Sequence, residues 1–279
     1  MKTTRCARHS RESGFLQGLA AVLLALGLSA TAALAQTTQK VVDIPTRPGV
    51  TQRFIHITPP KPKAAVILMA GGHGGLRIFS NGSLLWGEGN FLVRSRQLFA
   101  DAGLAVAVID APSDRQSPPF LSDFRQTPEH TADVLAVIAW LKQQAPIPVW
   151  LVGTSRGTQS AGYIATEAGP AQGGPDGVVL TASILTDSAT RAVPQMPLEK
   201  IRVPVLVVHH TQDACRVCLF ADMPPLMAGL ARTPKAELMS FSGGQTRGPP
   251  CEAMAYHGFN GLEAEVVGKI SSWVLNARP

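Results

Sequence analysis

Past its first stretch, the chain has no long apolar run. It has no cluster of lysine and arginine, no internal repeat, no low-complexity block and few cysteines. Each absence excludes something. Without a basic patch there is no electrostatic footprint for nucleic acid. The chain carries 25 basic and 19 acidic residues. Four of the basic ones (Lys2, Arg5, Arg8, Arg11) and one acidic one (Glu12) fall in the first twelve positions, so half of the net +6 belongs there. The tight pair Arg94-x-Arg96 reads as one face of a surface helix. Gly72-His73-Gly74 follows an apolar run but lacks the third glycine of a dinucleotide-binding loop, so no nicotinamide or flavin cofactor is implied. Three cysteines remain beyond the N-terminus: Cys215, Cys218 and Cys251. The segment His209-His210-Thr211-Gln212-Asp213-Ala214-Cys215-Arg216-Val217-Cys218 is dense in metal ligands. It has no second cysteine pair, and adjacent histidines on a strand face opposite ways. No metal site is expected there.

What is present begins with a leader. A basic start, the apolar run Phe15 to Leu28 and the small-x-small pattern Ala33-Leu34-Ala35 predict a secretory signal peptide over 1–35, cut after Ala35. The run is too short to span a bilayer comfortably. No Arg-Arg pair precedes it and no cysteine follows the cleavage site, which argues against twin-arginine export and lipoprotein processing. The expected mature protein is a single domain over 36–279, periplasmic or secreted, with no membrane anchor once the leader is removed. Nothing in the sequence fixes its oligomeric state.

Continuous apolar runs of strand length recur at Ala64 to Ala70, Leu104 to Ile109, Val149 to Val152, Gly177 to Leu180 and Val203 to Val208. Continuous rather than alternating runs suit strands covered on both faces, as in a parallel sheet. Thr51 to Ile57 alternates and suits an antiparallel strand near the sheet's start. Helical patterns lie between: Phe91, Leu92, Leu98 and Phe99 on one face, then Val134 to Leu141 opened by Thr127-Pro128-Glu129, then Gln159 to Ala168, then Leu262 to Leu275. The alternation predicts one α/β domain with a mostly parallel central sheet flanked by helices. No lid domain is evident. Leu185 to Lys200 is loop-sized, and Phe79 to Phe91, with Trp86, is placed to wall a pocket.

One strand runs straight into Gly153-Thr154-Ser155-Arg156-Gly157, and a helix follows. Gly-x-Ser-x-Gly between strand and helix lifts a serine above the carboxyl edge of a sheet on a sharp, strained turn. Glycines two before and two after remove side chains that would collide. A serine needs a base, and the base needs an orienting acid. Asp213, on the loop after Val203 to Val208, is the expected acid, with Asp187 its rival. His257, in Tyr256-His257-Gly258-Phe259 just before the last helix, is the expected base. An acyl-transfer site also needs oxyanion donors. The N–H of Arg156 is one; the N–H of Gly72 or His73, in the loop Gly71-Gly72-His73-Gly74-Gly75, is the other.

These features together resemble the α/β-hydrolase superfamily of serine esterases, lipases and peptidases, from about Arg53 to the C-terminus. The glycine loop departs from the lipase pattern His-Gly-Gly-Gly, which leaves the second donor open between Gly72 and His73. The resemblance implies a Ser155–His257–Asp213 triad, an acyl-enzyme and no cofactor. It implies a small-molecule ester substrate, with amide or peptide cleavage, or a non-catalytic binding module on the same scaffold, as alternatives. The remaining cysteines predict one disulfide joining Cys251 to Cys215, or else to Cys218. Either pairing would tie the Asp213 loop to the His257 loop.

Overall fold

The structure is a computed structural model, and it describes residues 36–277. The leader expected over 1–35 lies outside the described residues. The described part is one compact unit. Its strands are β1 (Thr38–Arg47), β2 (Val50–Thr58), β3 (Ala64–Met69), β4 (Leu104–Ile109), β5 (Val149–Thr154), β6 (Gly177–Thr181), β7 (Val205–His210) and β8 (Ala236–Phe241). They form one eight-stranded sheet in the order β1-β2-β4-β3-β5-β6-β7-β8. β1 and β2 pair antiparallel, as do β2 and β4; every other pairing is parallel.

Every residue of β3 to β7 is buried. Alternate side chains enter opposite layers because successive Cβ atoms point to opposite faces. Ala65, Ile67, Met69, Val149 and Leu151 enter one layer; Ala64, Val66, Leu68, Trp150 and Val152 enter the other. The first layer is closed by α3 (Pro128–Gln144) and α4 (Gly157–Glu167) through Val134, Ile138, Leu141 and Ile164, and by α5 (Met223–Gly229) through Leu226. The second is closed by α1 (Phe91–Arg94), α2 (Arg96–Asp101) and α6 (Glu263–Asn276) through Phe91, Phe99, Val266, Ile270 and Trp273. Thr127 caps α3, accepting the His130 N–H at 3.2 Å, with Pro128 at the first helical position.

Two readings of the sequence need correction. The pattern from Phe91 to Phe99 is not one helix: the chain breaks at Ser95 into α1 and α2. Nor are Arg94 and Arg96 a solvated face. Arg94 pairs with Glu263 at 2.8 Å and donates to the Gly258 carbonyl at 2.6 Å, while Arg96 donates to the Val93 carbonyl at 2.6 Å. Both guanidiniums satisfy carbonyls or carboxylates close at hand rather than extending into solvent. Among the described residues no helix is long and apolar enough to cross a membrane.

Candidate active site

Ser155 sits at the end of β5, where the chain turns into α4, with φ +51°. That value lies in the left-handed region, which side chains other than glycine rarely adopt. The corner holds because its neighbours leave no alternative. A Cβ at Gly153 would lie 2.4 Å from the Gly157 carbonyl oxygen, one at Gly157 2.1 Å from the Met69 carbonyl oxygen, and one at Gly71 2.9 Å from the Ser155 Cβ. The strain is further held by the Ser155 N–H, which donates to Thr181 O at 3.0 Å, and by its carbonyl, which accepts the Thr158 hydroxyl at 2.6 Å. Ser155 is half-buried.

Asp213 follows β7 and His257 precedes α6; both are 4% exposed. His257 Nδ1 donates to Asp213 Oδ2 at 2.8 Å, and Asp213 Oδ1 accepts the Cys215 N–H at 2.9 Å. With its proton on Nδ1, a neutral His257 presents a lone pair at Nε2, and that atom is buried with no hydrogen-bond partner among the described residues. Ser155 and His257 line the same cavity of about 290 Å³, but no hydrogen bond links Ser155 Oγ to Nε2 here. Such bonds commonly tighten only when substrate is bound. Asp187 lies elsewhere: it pairs with Arg156 at 2.8 Å and accepts the Thr190 hydroxyl at 2.6 Å. Burial opposes its ionisation, but Thr190, the Ala189 N–H and Arg156 outweigh this and hold its pKa at about 2.

The other side of the cavity is the loop after β3. Gly72 has φ +57°, and a Cβ there would meet the Trp86 ring at 2.7 Å, so only glycine lets the indole lie against this backbone. Among the described residues no acceptor takes the backbone N–H of Gly72, His73 or Arg156. The His73 ring lies between Trp86 and Phe120, with centroids at 3.8 and 4.4 Å, and its Nδ1 accepts the Gly75 N–H. Any part His73 plays in holding an anion therefore falls to its backbone. Trp86, which lines the cavity, and Leu85 and Met254, next in sequence to the lining residues Trp86 and Ala253, are exposed apolar groups. A larger cavity of about 450 Å³ lies away from Ser155, beside Asp43, Arg53 and Asp110. Its one guanidinium, Arg53, is already taken by Asp43 and the Ile78 carbonyl.

Cys215 and Cys251 form a disulfide, with Cα atoms 4.5 Å apart. Cys218 is a free, buried thiol whose pKa burial pushes well above its ordinary value. Cys215 and Cys218 sulfurs and a His257 nitrogen lie within 4.8 Å of one another, but one of those sulfurs is in the disulfide and the other is a protonated thiol, which makes a poor ligand set. The two strand-end histidines are structural. His209 donates to Cys218 O at 2.7 Å; His210 donates to Gly243 O at 3.0 Å and stacks on Tyr256 at 4.6 Å.

Two supporting residues carry no signal in the sequence. Buried Asp110, at the end of β4, accepts the N–H groups of Leu76, Arg77, Ile78 and Ala111 at 2.7 to 3.1 Å. Leu76 O in turn accepts the Trp86 N–H, so Asp110 holds the segment that walls the cavity. Arg125 is 4% exposed and has no carboxylate partner among the described residues; it reaches the carbonyl of Ala70 and those of the glycine loop.

No protein-family model matches the chain, and no curated protein matches it. Solved structures do. A dienelactone hydrolase from Anabaena variabilis is similar at 15% identity and TM-score 0.59, over 88% of this chain and all of that one. A Pyrococcus furiosus esterase is similar at 14% identity and TM-score 0.61, over 85% of this chain and 91% of that one. An esterase from Rhizomucor miehei is similar at 12% identity and TM-score 0.60, over 88% and 84%. This chain has the α/β-hydrolase fold: an eight-stranded, mostly parallel sheet between two layers of helices.

Proposed function

We propose that this protein is a serine hydrolase that cleaves carboxylic esters through an acyl-enzyme. The observation that carries the reading is the strained Ser155 corner facing, across one cavity, a histidine whose far nitrogen is bound to a buried aspartate. In this scheme Ser155 Oγ attacks the ester carbonyl as His257 Nε2 takes its proton. Asp213 holds the imidazole in the required tautomer and stabilises the imidazolium. The N–H of Arg156, with that of Gly72 or His73, receives the negative oxygen, and the N-terminus of α4 adds to the favourable field. His257 then protonates the leaving alcohol. A water, deprotonated by the same nitrogen, attacks the acyl group and restores Ser155.

The half-open cavity, with the apolar rings of Trp86 and Phe91 in its lining, suits a small or medium ester with an apolar acyl or alcohol part. The disulfide and the leader-like N-terminus support a periplasmic or secreted setting. The scheme calls on no cofactor or metal. The test is a fluorophosphonate probe on the mature chain, followed by peptide mapping and a panel of esters of graded acyl length. Labelling at Ser155, lost in Ser155→Ala together with ester hydrolysis, is expected. A Ser155→Ala variant that keeps more than about a hundredth of the activity rules out this nucleophile, since triad knockouts cost on the order of 10⁶.

A further inference from the structure

A buried arginine without a carboxylate is costly, because its desolvation is not repaid by a counter-charge. Arg125 is such a residue. Burial, with Arg156 adding to it, pushes its pKa down to about 9, so it keeps its charge at neutral pH. Its partners explain where that charge is used. Nη2 donates to Ala70 O at 3.0 Å and Gly72 O at 3.1 Å, with Gly71 O at 3.5 Å. Nη1 donates to Ser160 Oγ at 3.1 Å, on α4, the helix that begins just after Ser155. The next carbonyl, His73 O, accepts the Leu121 N–H at 3.0 Å, and Leu121 O accepts the Arg125 N–H. Space is reserved for the guanidinium, since a Cβ at Gly74 would lie 2.6 Å from Nη2.

A trans peptide unit is planar, with its C=O and N–H pointing opposite ways. The Gly71 carbonyl shares its unit with the Gly72 N–H, and the Gly72 carbonyl shares its unit with the His73 N–H. We propose that Arg125 is a positioning residue for the oxyanion site: it draws these carbonyls inward and so turns the Gly72 and His73 N–H groups toward the cavity holding Ser155. By gripping Ser160 as well, it fixes that loop relative to α4, the helix into which the Ser155 turn runs. A cation at the carbonyl end of a peptide also polarises it and makes its N–H a stronger donor. This rests on the serine-hydrolase reading for its kinetic consequence, though not for its structural one.

The test compares wild type with Arg125→Met, which keeps an apolar stem of similar reach, and Arg125→Lys, which keeps the charge but not the fork. On p-nitrophenyl butyrate, kcat of Arg125→Met is expected to fall about 100-fold, the loss typical of an oxyanion donor, with KM little changed. Affinity for a trifluoromethyl ketone, whose adduct with Ser155 carries an oxyanion, falls in parallel. Arg125→Lys recovers part of both, and serves as the reporting variant if Arg125→Met does not fold. Backbone ¹⁵N order parameters at Gly72 and His73 read the loop whether or not any ester is turned over. They are expected to drop from the rigid range near 0.85 to below about 0.6. A folded variant with unchanged kcat, or with only KM raised, overturns the proposal, as do unchanged order parameters. A wild type that hydrolyses no ester and takes no probe removes the serine-hydrolase reading instead, and the order parameters still decide whether Arg125 sets the loop.

Discussion

Removing the Cys215–Cys251 disulfide is expected to lower the melting temperature by about 8 °C. The bridge closes a segment with sequence separation 36. Forbidding the open form of that segment in the unfolded chain corresponds, in the chain-entropy account, to about 4 kcal/mol at 25 °C. Unfolding entropy near 60 °C is about 2.1 cal/mol/K per residue, or about 0.5 kcal/mol/K for a domain of roughly 240 residues, which converts the loss to about 8 °C. The perturbation must take out both partners. A single Cys251→Ala leaves Cys215 beside the buried Cys218 thiol, with a new pairing open to them. The double variant Cys215→Ala/Cys251→Ala avoids that. Scanning calorimetry on oxidised wild type and the double variant measures the shift. Because the bridge ties the loop of Asp213 to that of His257, turnover is expected to fall as well, with the hydrogen bond at 2.8 Å less often formed. A shift under about 2 °C, where the chain-entropy account gives roughly four times that, refutes the reasoning. It would mean that the packing of His210 on Tyr256 and the pairing of Arg94 with Gly258 O already hold the His257 loop without the disulfide.

The two aspartates should separate cleanly. Asp213→Asn is expected to cost on the order of 10⁴ in kcat by favouring the wrong tautomer of His257, whereas Asp187→Asn, which weakens contacts to Arg156, Thr190 and Gln159 and none to His257, should cost less than about tenfold; steady-state kinetics showing the reverse order moves the acid to Asp187. Gly157→Ala drives a Cβ into the Met69 carbonyl and should destabilise by about 1–3 kcal/mol. Gly268→Ala, in the middle of α6 with nothing within 4 Å of the new methyl, should stabilise by about 0.5–1 kcal/mol in urea denaturation. Burial, with Arg125 and Arg47 adding to it, pushes the His130 pKa down from 6.5 to about 3. The folded state therefore resists a proton that the unfolded chain accepts. The stability this group confers is whole above pH 6.5 and is lost, at up to about 1.4 kcal/mol per pH unit, as pH falls toward 3. Denaturation midpoints measured from pH 7 to 4 should fall less steeply in His130→Gln.

The interior of the sheet was legible because β3 to β7 are covered on both faces, and burial on both faces writes an unbroken apolar run. The outer strands were not. In β8 the apolar residues of Ala-Glu-Leu-Met-Ser-Phe are interrupted by Glu237 and Ser240, and only Phe241 is buried; in β1 only Ile44 is buried, so neither strand writes an unbroken apolar run. The helix break at Ser95 was hidden because Phe91 and Phe99 still face one layer on either side of it. Within the candidate site, Ser155, Asp213 and His257 each sit at a place the chain order marks, at the end of a strand or before the last helix. Arg125 sits at no such mark, and Asp110, though it follows β4, belongs to no motif that assigns it a role. Their work is to satisfy backbone groups far along the chain, 55 positions away for Arg125 and Ala70, and no local pattern records where those groups will be.

Gly157 has one further consequence. The helix behind Ser155 rests directly on the carbonyl at the end of β3, with no side chain between, and the glycine loop leaves from that same strand end. In the proposed scheme the attacking oxygen and the anion-binding amides thus share one foundation. Trp86, which lines the cavity, stands on a separate segment and lies with its ring against Gly72. Under the proposed function, substitutions on that segment would change which ester fits while leaving the geometry of the Ser155 corner as it is.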